Sequence, residues 1–273
     1  MTAVAVIPTY IRSDFDLFIT KRCIESLRES TDLEIYVVDD CSPYEGTREE
    51  LEKTQADKFT FKESNEGFSH TVNFGLRYAL ETDRDALLVN ADMEFPNPGW
   101  FEALDANPAD VVGALLLYPN GLVQHAGIFF SVINRTFDHI YRLAPSKLPQ
   151  VSLPRTCPVT GALQLIRNDT LNNVGLYDER FRLGWEDVAY CHDVFISGRK
   201  CAYEPQAIAV HYESLFRGSG EVSEKIQKWQ WESWCQLHEK FAGHEFASYT
   251  PTMLTWDGNE SHIDDGSSVE VAQ

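Results

Sequence analysis

The feature that most constrains this chain is an alternation of short apolar runs and amphipathic segments over its first 95 residues. The apolar runs have the length and composition of strands buried on both faces. They cover residues 2–7, 33–38, 59–61 and 86–89. Helices are predicted between them over 17–29, 46–55 and 67–80. Strands that alternate with helices in this way predict an α/β fold with a mostly parallel sheet flanked by helices.

The rest of the chain continues the pattern with longer connections. Pro8 is expected to end the first strand sharply. Further helices are predicted at 100–106, at 168–174, from Glu186 and at 221–241. Further strands are predicted at 110–118, 122–133, 158–166, 200–203 and 207–211. Pro119, Asn120 and Gly121 predict a hairpin turn between two of these strands. Residues 134–156 are polar and contain proline, which predicts a long loop, a kind of segment that often binds ligands.

Length and composition set the domain organisation. The chain has 273 residues, of which 43% are hydrophobic, so it suits one large domain or two small ones. We predict one domain over 1–215, with halves 1–95 and 96–215, then a helical extension over 216–255 and a mobile acidic tail over 256–273.

The formal net charge of −19 comes from 42 acidic and 23 basic residues. A surface this negative repels nucleic-acid backbones and anionic lipids, so both are disfavoured as partners. Any phosphate must therefore be held by local groups. Arg135, Arg142, Lys147 and Arg155 concentrate positive charge in the predicted long loop, so an anionic acceptor stays open.

We predict a cytoplasmic protein, because the sequence shows no recognisable targeting signal and its cysteines are not arranged for disulfides. No apolar run approaches the roughly 20 residues that cross a bilayer. The N-terminus lacks a positive leader, so we do not interpret it as a signal peptide. The six cysteines contain no Cys-x-x-Cys pair, which disfavours a zinc ribbon and a disulfide scaffold.

Carboxylates follow two of the predicted strands. Asp39 and Asp40 come directly after 33–38, and Asp92 follows 86–89 by three residues. Ligands of open α/β sheets bind at the carboxyl ends of strands, which makes these acids candidate ligand contacts. Two other interpretations stay open: Asp92 belongs to a turn, or Asp40 or Ser42 caps the helix predicted at 46–55.

Other polar residues carry weaker signals. Gly67 precedes a helix start, where the backbone can approach a ligand and free N–H groups can bind phosphate. Glu186 and Asp187 stand in the first turn of a helix, where acids also simply complement the helix dipole. His211 ends an apolar strand, and a lone histidine there is more often structural than a ligand. No Gly-x-Gly-x-x-Gly or Gly-x-x-x-x-Gly-Lys-Ser/Thr motif occurs, which argues against dinucleotide dehydrogenases and P-loop enzymes.

Six short motifs in order resemble family 2 inverting glycosyltransferases of the bacterial rhamnosyltransferase type. They are Val-Ala-Val-Ile-Pro-Thr-Tyr10, Val-Val-Asp-Asp-Cys-Ser42, Asn-Glu-Gly-Phe68, Leu-Val-Asn-Ala-Asp92, Gly-Trp-Glu-Asp-Val188 and Val-His211. The resemblance covers about residues 3–213 and implies the GT-A fold, a Rossmann-like mixed sheet followed here by a C-terminal helix. It further implies that 1–95 binds the nucleotide and 96–215 binds the acceptor and performs the reaction.

The resemblance also implies roles for individual residues. The nucleotide-sugar donor would be bound by Pro8, Thr9, Tyr10, Arg12, Asp39, Asn65, Gly67, Asn90, Ala91 and Asp92. A divalent metal, Mn²⁺ or Mg²⁺, would be held by Asp92 and His211. Asp187 would be the catalytic base with Glu186 beside it. The acceptor would contact Gly161, Trp185 and Glu186.

One position departs from the family pattern, because the first acid of its Asp-x-Asp motif is Asn90 here. An amide supplies no charge, so metal binding depends on Asp92, His211 and the donor diphosphate. The implied reaction moves a sugar, of hexose type, from a nucleoside-diphosphate sugar to an acceptor hydroxyl with inversion. The acceptor (a saccharide, glycolipid, protein or other hydroxyl compound), the donor base and sugar, and the oligomeric state stay open.

Two alternatives remain at this point. A non-catalytic nucleotide-sugar or carbohydrate-binding module would tolerate loss of Glu186 and Asp187, yet both acids are present. A sugar-nucleotide pyrophosphorylase would carry a Gly-rich basic loop after its first strand, whereas residues 8–13 contain no glycine. The glycosyltransferase prediction requires Asp92 and Asp187 to share one cleft.

Overall fold

The computed structural model describes residues 3–131, 136–147, 156–212 and 224–242, and the backbone of 254–256 and 261–263. Its helices are α1 (Asp14–Ser30), α2 (Thr47–Leu51), α3 (Phe68–Glu81), α4 (Trp100–Ala106), α5 (Asn168–Val174), α6 (Glu186–Ile196) and α7 (Glu224–Lys240). Its strands are β1 (Ala3–Thr9), β2 (Glu34–Asp39), β3 (Lys58–Phe61), β4 (Asp85–Val89), β5 (Met93–Glu94), β6 (Val111–Leu117), β7 (Val123–His125), β8 (Ile128–Ser131), β9 (Thr136–His139), β10 (Leu163–Ile166), β11 (Cys201–His211), β12 (Leu254–Trp256) and β13 (Ser261–Ile263).

Nine strands form one mixed sheet in the order β3-β2-β1-β4-β10-β6-β11-β5, with β7 paired to β6. Strands β3, β2, β1 and β4 run parallel, and β11 runs parallel to β6. Strand β10 is antiparallel to both β4 and β6, so its first residues lie at the edge where β4 ends. The fold is therefore α/β with a mostly parallel mixed sheet, as expected from the sequence.

Helices cover both faces of this sheet because side chains alternate along its strands. In β1, Val4 and Val6 face a cluster that includes apolar residues of α3 and α6. Ala5 and Ile7 face the opposite cluster, which includes residues of α1 and α4. Strands buried on both faces account for the continuous apolar runs in the sequence.

Helix α3 lies unusually close to the sheet. A side chain at Gly75 would place its Cβ 2.2 Å from a methyl group of Val6, a distance that no real contact allows. Gly75 therefore lets α3 approach β1, and this fixes the position of the Gly67 loop that precedes the helix.

Several predicted elements need correction. Strand β1 continues through Pro8 to Thr9, because Pro8 lies near the strand end and pairs in register with Val38 of β2. The strand predicted at 158–166 is shorter, since only Leu163–Ile166 joins the sheet. The strands predicted at 200–203 and 207–211 are one strand, β11, with an irregularity between Glu204 and Ile208.

The predicted loop 134–156 also contains structure, because β9 pairs with β8 in a separate two-stranded sheet. The expected hairpin between β6 and β7 is present, while the strand predicted at 122–133 is divided into β7 and β8. Residues 132–135 and 148–155 of these predictions lie outside the described residues.

The C-terminal helix predicted at 221–241 is α7, although 221–223 lie outside the described residues. Most of the predicted acidic tail also lies outside them, and β12 pairs with β13. Within the described residues, no helix combines the length and apolar character required to cross a membrane.

Candidate active site

The carboxyl ends of β1, β2 and β4 meet at one edge of the sheet, and this edge holds most of the predicted site residues. Thr9 and Asp39 are the last residues of adjacent strands, and they pair in register. Asn90 follows β4 directly and donates its backbone N–H to the carbonyl of Ala162, 2.8 Å away. The turn 160–162, which leads into β10, therefore lies against the end of β4.

Asp39 is buried and already has several partners. Its Oδ1 accepts from the Thr9 hydroxyl at 3.0 Å and from the Ser42 hydroxyl, and its Oδ2 accepts from the Ser42 backbone N–H at 2.9 Å. Its role toward a nucleoside stays a prediction. Ser42 in turn accepts from the backbone N–H of Ile11 at 2.6 Å, which links the loops after β1 and β2.

Asp40 organises the Asn65–Gly67 loop. Its Oδ1 accepts from Lys62 Nζ at 2.6 Å and from the Glu66 N–H at 3.0 Å. Its Oδ2 accepts from Asn65 Nδ2 and from the Gly67 N–H, both at 2.9 Å. The alternative in which Asp40 or Ser42 caps the next helix is wrong, because α2 begins after Gly46 without a side-chain cap.

Gly67 approaches the protein itself closely. Its φ is +99°, and a Cβ there would lie 2.4 Å from the carbonyl oxygen of Arg182. That carbonyl accepts from the Phe68 N–H at 2.7 Å, and the Ser69 hydroxyl donates to the carbonyl of Phe181 at 2.6 Å. Gly67 therefore brings the predicted donor loop against the loop that leads to Asp187, and its contact with a nucleotide base stays a prediction.

The remaining predicted donor residues lie along the same edge. Pro8 and Ala91 are half-buried, and Tyr10 is exposed. Arg12 is exposed and donates its Nε to Asp16 at 3.2 Å, so part of its guanidinium is engaged by helix α1, which follows it.

Asp92 and His211 lie side by side because β5 pairs with the end of β11. Met93 is in register with His211, and the Tyr212 N–H donates to the Asp92 carbonyl at 3.0 Å. Asp92 Oδ1 is 3.1 Å from His211 Nε2, and both residues are buried. Asn90 Nδ2 is 3.5 Å from the same ring nitrogen.

Gln124 determines which ring nitrogen of His211 carries a proton. His211 Nδ1 lies 2.6 Å from Gln124 Oε1, while Gln124 Nε2 donates to the His211 carbonyl at 3.4 Å. An amide oxygen only accepts, so Nδ1 must be protonated. In a neutral ring, the lone pair of Nε2 then faces Asp92 and the Asn90 amide, where it can accept a hydrogen bond or bind a cation.

This pair fits a divalent metal. A carboxylate oxygen and an imidazole nitrogen are ligands of Mn²⁺, and a metal-binding histidine typically donates its other N–H to an oxygen, as His211 does to Gln124. Among the described residues, no three His, Cys, Asp or Glu side chains form a complete cage. A metal at this pair would therefore take further ligands from a bound diphosphate and water.

Asp187 lies in the first turn of α6 with both carboxylate oxygens directed by backbone groups. Its Oδ2 accepts from the Gly161 N–H at 3.0 Å and its Oδ1 from the Val188 N–H at 2.8 Å. The carboxylate lies at the N-terminal end of the helix, where unpaired backbone N–H groups are available to it. Asp187 and Glu186 are half-buried, so solvent reaches both.

The turn 160–162 connects the two halves of the candidate site. Gly161 contacts Asp187, and the next residue, Ala162, contacts Asn90. The predicted base is therefore linked through this turn to the end of β4, and a cleft shared by Asp92 and Asp187 stays a prediction. A Cβ at Gly161 would lie 3.3 Å from the Tyr177 hydroxyl and 3.4 Å from Asp187 Cβ, so space there is tight.

The backbone before Asp187 is strained. Gly184 and Trp185 have φ values of +86° and +68°, and the second is the left-handed conformation that a bulky residue rarely adopts. This conformation costs roughly 1–2 kcal/mol for a residue with a Cβ. Strain of this kind persists where surrounding contacts fix it, and it often occurs at functional sites.

Sequence reasoning missed the groups that support the site. Gln124 is one, and its only signal is a polar residue within an apolar strand. His125 is another: burial lowers the pKa of its imidazole well below its ordinary value, and its Nε2 accepts from the backbone of Gly127 and Thr160. Burial also raises the pKa of Tyr177 well above its ordinary value, so its hydroxyl stays a donor, to Gln164 Oε1 at 2.7 Å.

The predicted positive loop is only partly described. Arg142 donates to the Tyr118 hydroxyl at 3.3 Å. Arg135 and Arg155 lie outside the described residues, so the clustering of charge there stays a prediction.

Comparison with known proteins finds a family model that matches the N-terminal part of the chain. Residues 4–129 match the family model described as Glycosyl transferase family 2. Over these residues the chain is similar to glycosyltransferase family 2. The match covers β1 to β7 and the first half of β8, and therefore the predicted donor residues and Asp92, whereas Asp187, His211 and α7 lie beyond it.

Two curated relatives extend the similarity. The chain is 28% identical to the O-antigen biosynthesis protein RfbC of Myxococcus xanthus over 197 residues, which cover 68% of this chain and 15% of that protein. It is 29% identical to the uncharacterized protein y4gI of Sinorhizobium fredii over 178 residues, 61% of this chain and 19% of that protein. The chain thus spans less than one fifth of either relative.

Solved structures share the fold. GalNAc-T7, solved with UDP, GalNAc and Mn²⁺, has a TM-score of 0.59 at 18% identity, over 78% of this chain and 44% of that chain. The mannosyltransferase PcManGT from Pyrobaculum calidifontis, solved with GDP-Man and Mn²⁺, has a TM-score of 0.56 at 16% identity, over 92% and 65%. At these identities the similarity shows the GT-A fold and nothing further about this chain.

Proposed function

We propose that this family 2 domain transfers a sugar of hexose type from a nucleoside-diphosphate sugar to an acceptor hydroxyl, with inversion at the anomeric carbon. The observation that carries the proposal is the position of Asp187. Its carboxylate is fixed by two backbone N–H groups, partly open to solvent, and joined through Gly161 and Ala162 to the residue after β4.

In the proposed reaction, Asp187 takes the proton of the acceptor hydroxyl while that oxygen attacks the anomeric carbon from the face opposite the nucleotide. The bond from the anomeric carbon to the diphosphate oxygen breaks, and the nucleoside diphosphate leaves. General-base assistance of this kind contributes about 10²–10⁴-fold. Glu186, beside the base, and Trp185 would contact the acceptor.

Asp92 and His211 would hold a divalent metal at the donor diphosphate. When bound, such a metal neutralises charge that develops on the leaving group, a contribution of several kcal/mol. Support comes from the Asp92–His211 contact and from the Mn²⁺ present in the structures of GalNAc-T7 and PcManGT. Because Asn90 replaces an acid, we expect weaker metal binding than a site with two carboxylates would give.

The donor loops would hold the nucleoside. Support comes from Thr9 and Asp39, which end β1 and β2 in register at one sheet edge, and from Asn65, whose amide donates to Asp40 beside them. The six cysteines are free, and four of them are buried, which supports a reducing compartment such as the cytoplasm.

The test measures release of nucleoside diphosphate from a panel of UDP-, GDP- and dTDP-sugars, with a panel of acceptor saccharides, in Mn²⁺, Mg²⁺ and EDTA. Acceptor-dependent release from one donor, lost in EDTA, would support transfer. Donor binding without release of nucleoside diphosphate, whichever acceptor is added, would indicate a non-catalytic module. The anomeric configuration of the product, read by NMR, decides inversion.

A further inference from the structure

Helix α7 packs over the turn that precedes Asp187, although it lies far outside the family match. The indole of Trp234 lies 5.1 Å from that of Trp185, centroid to centroid, with the rings tilted by 54°. Trp234 also stacks edge-on against His238 at 4.4 Å. Both indoles join an apolar cluster with Phe181, Val188, Ala189, Leu237 and Phe241.

The same helix contacts the neighbouring glycine. Gln230 Cγ lies 4.0 Å from the position of a Cβ on Gly184. Gly184 and Trp185 are the two positive-φ residues immediately before Glu186 and Asp187. The strained turn is therefore covered on its outer side by α7.

The inner side of the turn is held by backbone groups. The Phe68 N–H donates to the Arg182 carbonyl at 2.7 Å, and the Gly161 N–H donates to Asp187 Oδ2 at 3.0 Å. A left-handed tryptophan relaxes toward ordinary backbone angles unless contacts on both sides prevent it. On the outer side, the aromatic contact with Trp234 provides this restraint.

We propose that Trp234 is a positioning residue for the transfer reaction: by packing on Trp185 it holds the left-handed turn that orients the Asp187 carboxylate. The expected effect on the transfer rate rests on the proposed function. The expected effect on the turn rests only on the geometry of the turn. Trp234 touches neither donor nor metal in this scheme, so its loss acts on the orientation of the base.

The kinetic test compares Trp234→Ala with Trp234→Phe and with Trp231→Ala. Trp231 lies on the same helix with 66% of its surface exposed, which makes it a matched control. A base displaced by about 1 Å costs up to about 10²-fold in rate. We therefore expect kcat of Trp234→Ala to fall about 10–100-fold with the donor KM within about two-fold of wild type. Trp234→Phe should recover most of the rate, and Trp231→Ala should match wild type.

A second readout requires no activity. Hydrogen exchange of the Gly161 and Val188 amides, the two donors to Asp187, should be about 10-fold faster in Trp234→Ala and unchanged in Trp231→Ala. Unchanged exchange at both amides, or a wild-type kcat in Trp234→Ala, would overturn the proposal. So would a general loss of protection together with weaker donor binding and no rescue by phenylalanine, because that result describes ordinary core packing. If the wild type transfers no sugar from any donor, the proposed function fails, and the exchange measurement still decides the role of Trp234.

Discussion

Asp40 and Asp92 are two buried carboxylates at the same sheet edge, and they differ in how many hydrogen-bond partners the chain itself provides. Asp40 accepts four hydrogen bonds, from Lys62, Asn65, Glu66 and Gly67. The carboxylate of Asp92 instead lies against the ring of His211, with 3.1 Å between Oδ1 and Nε2. Both are less than one tenth exposed.

Burial of a carboxylate is costly unless its charge and its lone pairs are satisfied. The chain itself satisfies Asp40, so this residue stabilises the loops after β2 and β3 and has little capacity left for a ligand. Asp92 retains lone pairs for a ligand atom, and its histidine neighbour is oriented by a separate amide. The comparison assigns Asp40 to stability and Asp92 to function, and substitutions can test each assignment.

The largest effect is expected at Asp187, whose two backbone partners orient it without neutralising it. Asp187→Asn should lower kcat for transfer by about 10²–10⁴-fold, which corresponds to about 3–5 kcal/mol, because the amide accepts no proton. Donor affinity, measured by thermal shift, should stay within about two-fold of wild type. Transfer at the wild-type rate would remove Asp187 from the role of base.

Asp92→Asn should show the next largest loss of rate. Removal of its charge weakens metal binding, so activity at fixed Mn²⁺ should fall about 10³-fold, on the order of 4 kcal/mol. The free energy of unfolding without metal should change by less than about 1 kcal/mol, because an amide oxygen still faces His211. The assay is a Mn²⁺ titration of activity beside a urea unfolding curve. If Asp92→Asn lowered the free energy of unfolding as strongly as it lowered activity, Asp92 would have a structural role like that of Asp40.

Asp40→Asn is the matched substitution, and its main effect should be on stability. The new amide would direct N–H groups at backbone donors and leave Lys62, whose side chain is 3% exposed, without its closest counter-ion. Loss of one member of a buried pair costs about 3–5 kcal/mol, and the remaining contact of Lys62 with Glu66 at 3.1 Å places the expected loss near 3 kcal/mol. Urea unfolding at constant pH measures it. An unfolding free energy equal to wild type, with donor binding lost, would move Asp40 from stability to function.

The sequence predicted the carboxylates of this edge but not which of them the chain itself satisfies. Local sequence signals were sufficient to predict α3, α4, α5 and β4. The apolar spacing and the end residues that define each of these elements lie within the element or next to it. The partners of Asp40 are 22–27 residues distant, and Gln124 lies 87 residues from His211. Such contacts depend on sheet order and register, which no local pattern encodes.

The same limit explains the errors in element boundaries. Strand β1 continues through Pro8 since its register with β2 is set by the whole ladder, whereas the proline predicted an earlier end. Residues 158–162 resemble a strand in composition, yet they lie outside the sheet strands and include the turn that joins Asn90 to Asp187. The strain at Trp185 had no sequence signal beyond the preceding glycine, because it depends on packing against a helix some fifty residues away.

The smallest expected effect concerns Gln124, which contacts His211 and no proposed substrate. Gln124→Leu removes the oxygen that accepts from Nδ1, so the ring loses its fixed tautomer and orientation. Loss of such a partner typically weakens metal binding 10–100-fold, about 1.4–2.7 kcal/mol. The half-maximal Mn²⁺ concentration for activity should rise by this factor, while kcat at saturating Mn²⁺ stays near wild type. Gln124→Glu, which restores an acceptor, should recover most of the affinity. If Gln124→Leu leaves the Mn²⁺ dependence unchanged, His211 is not a ligand, and Asp92 would then act without the histidine that distinguishes it from Asp40.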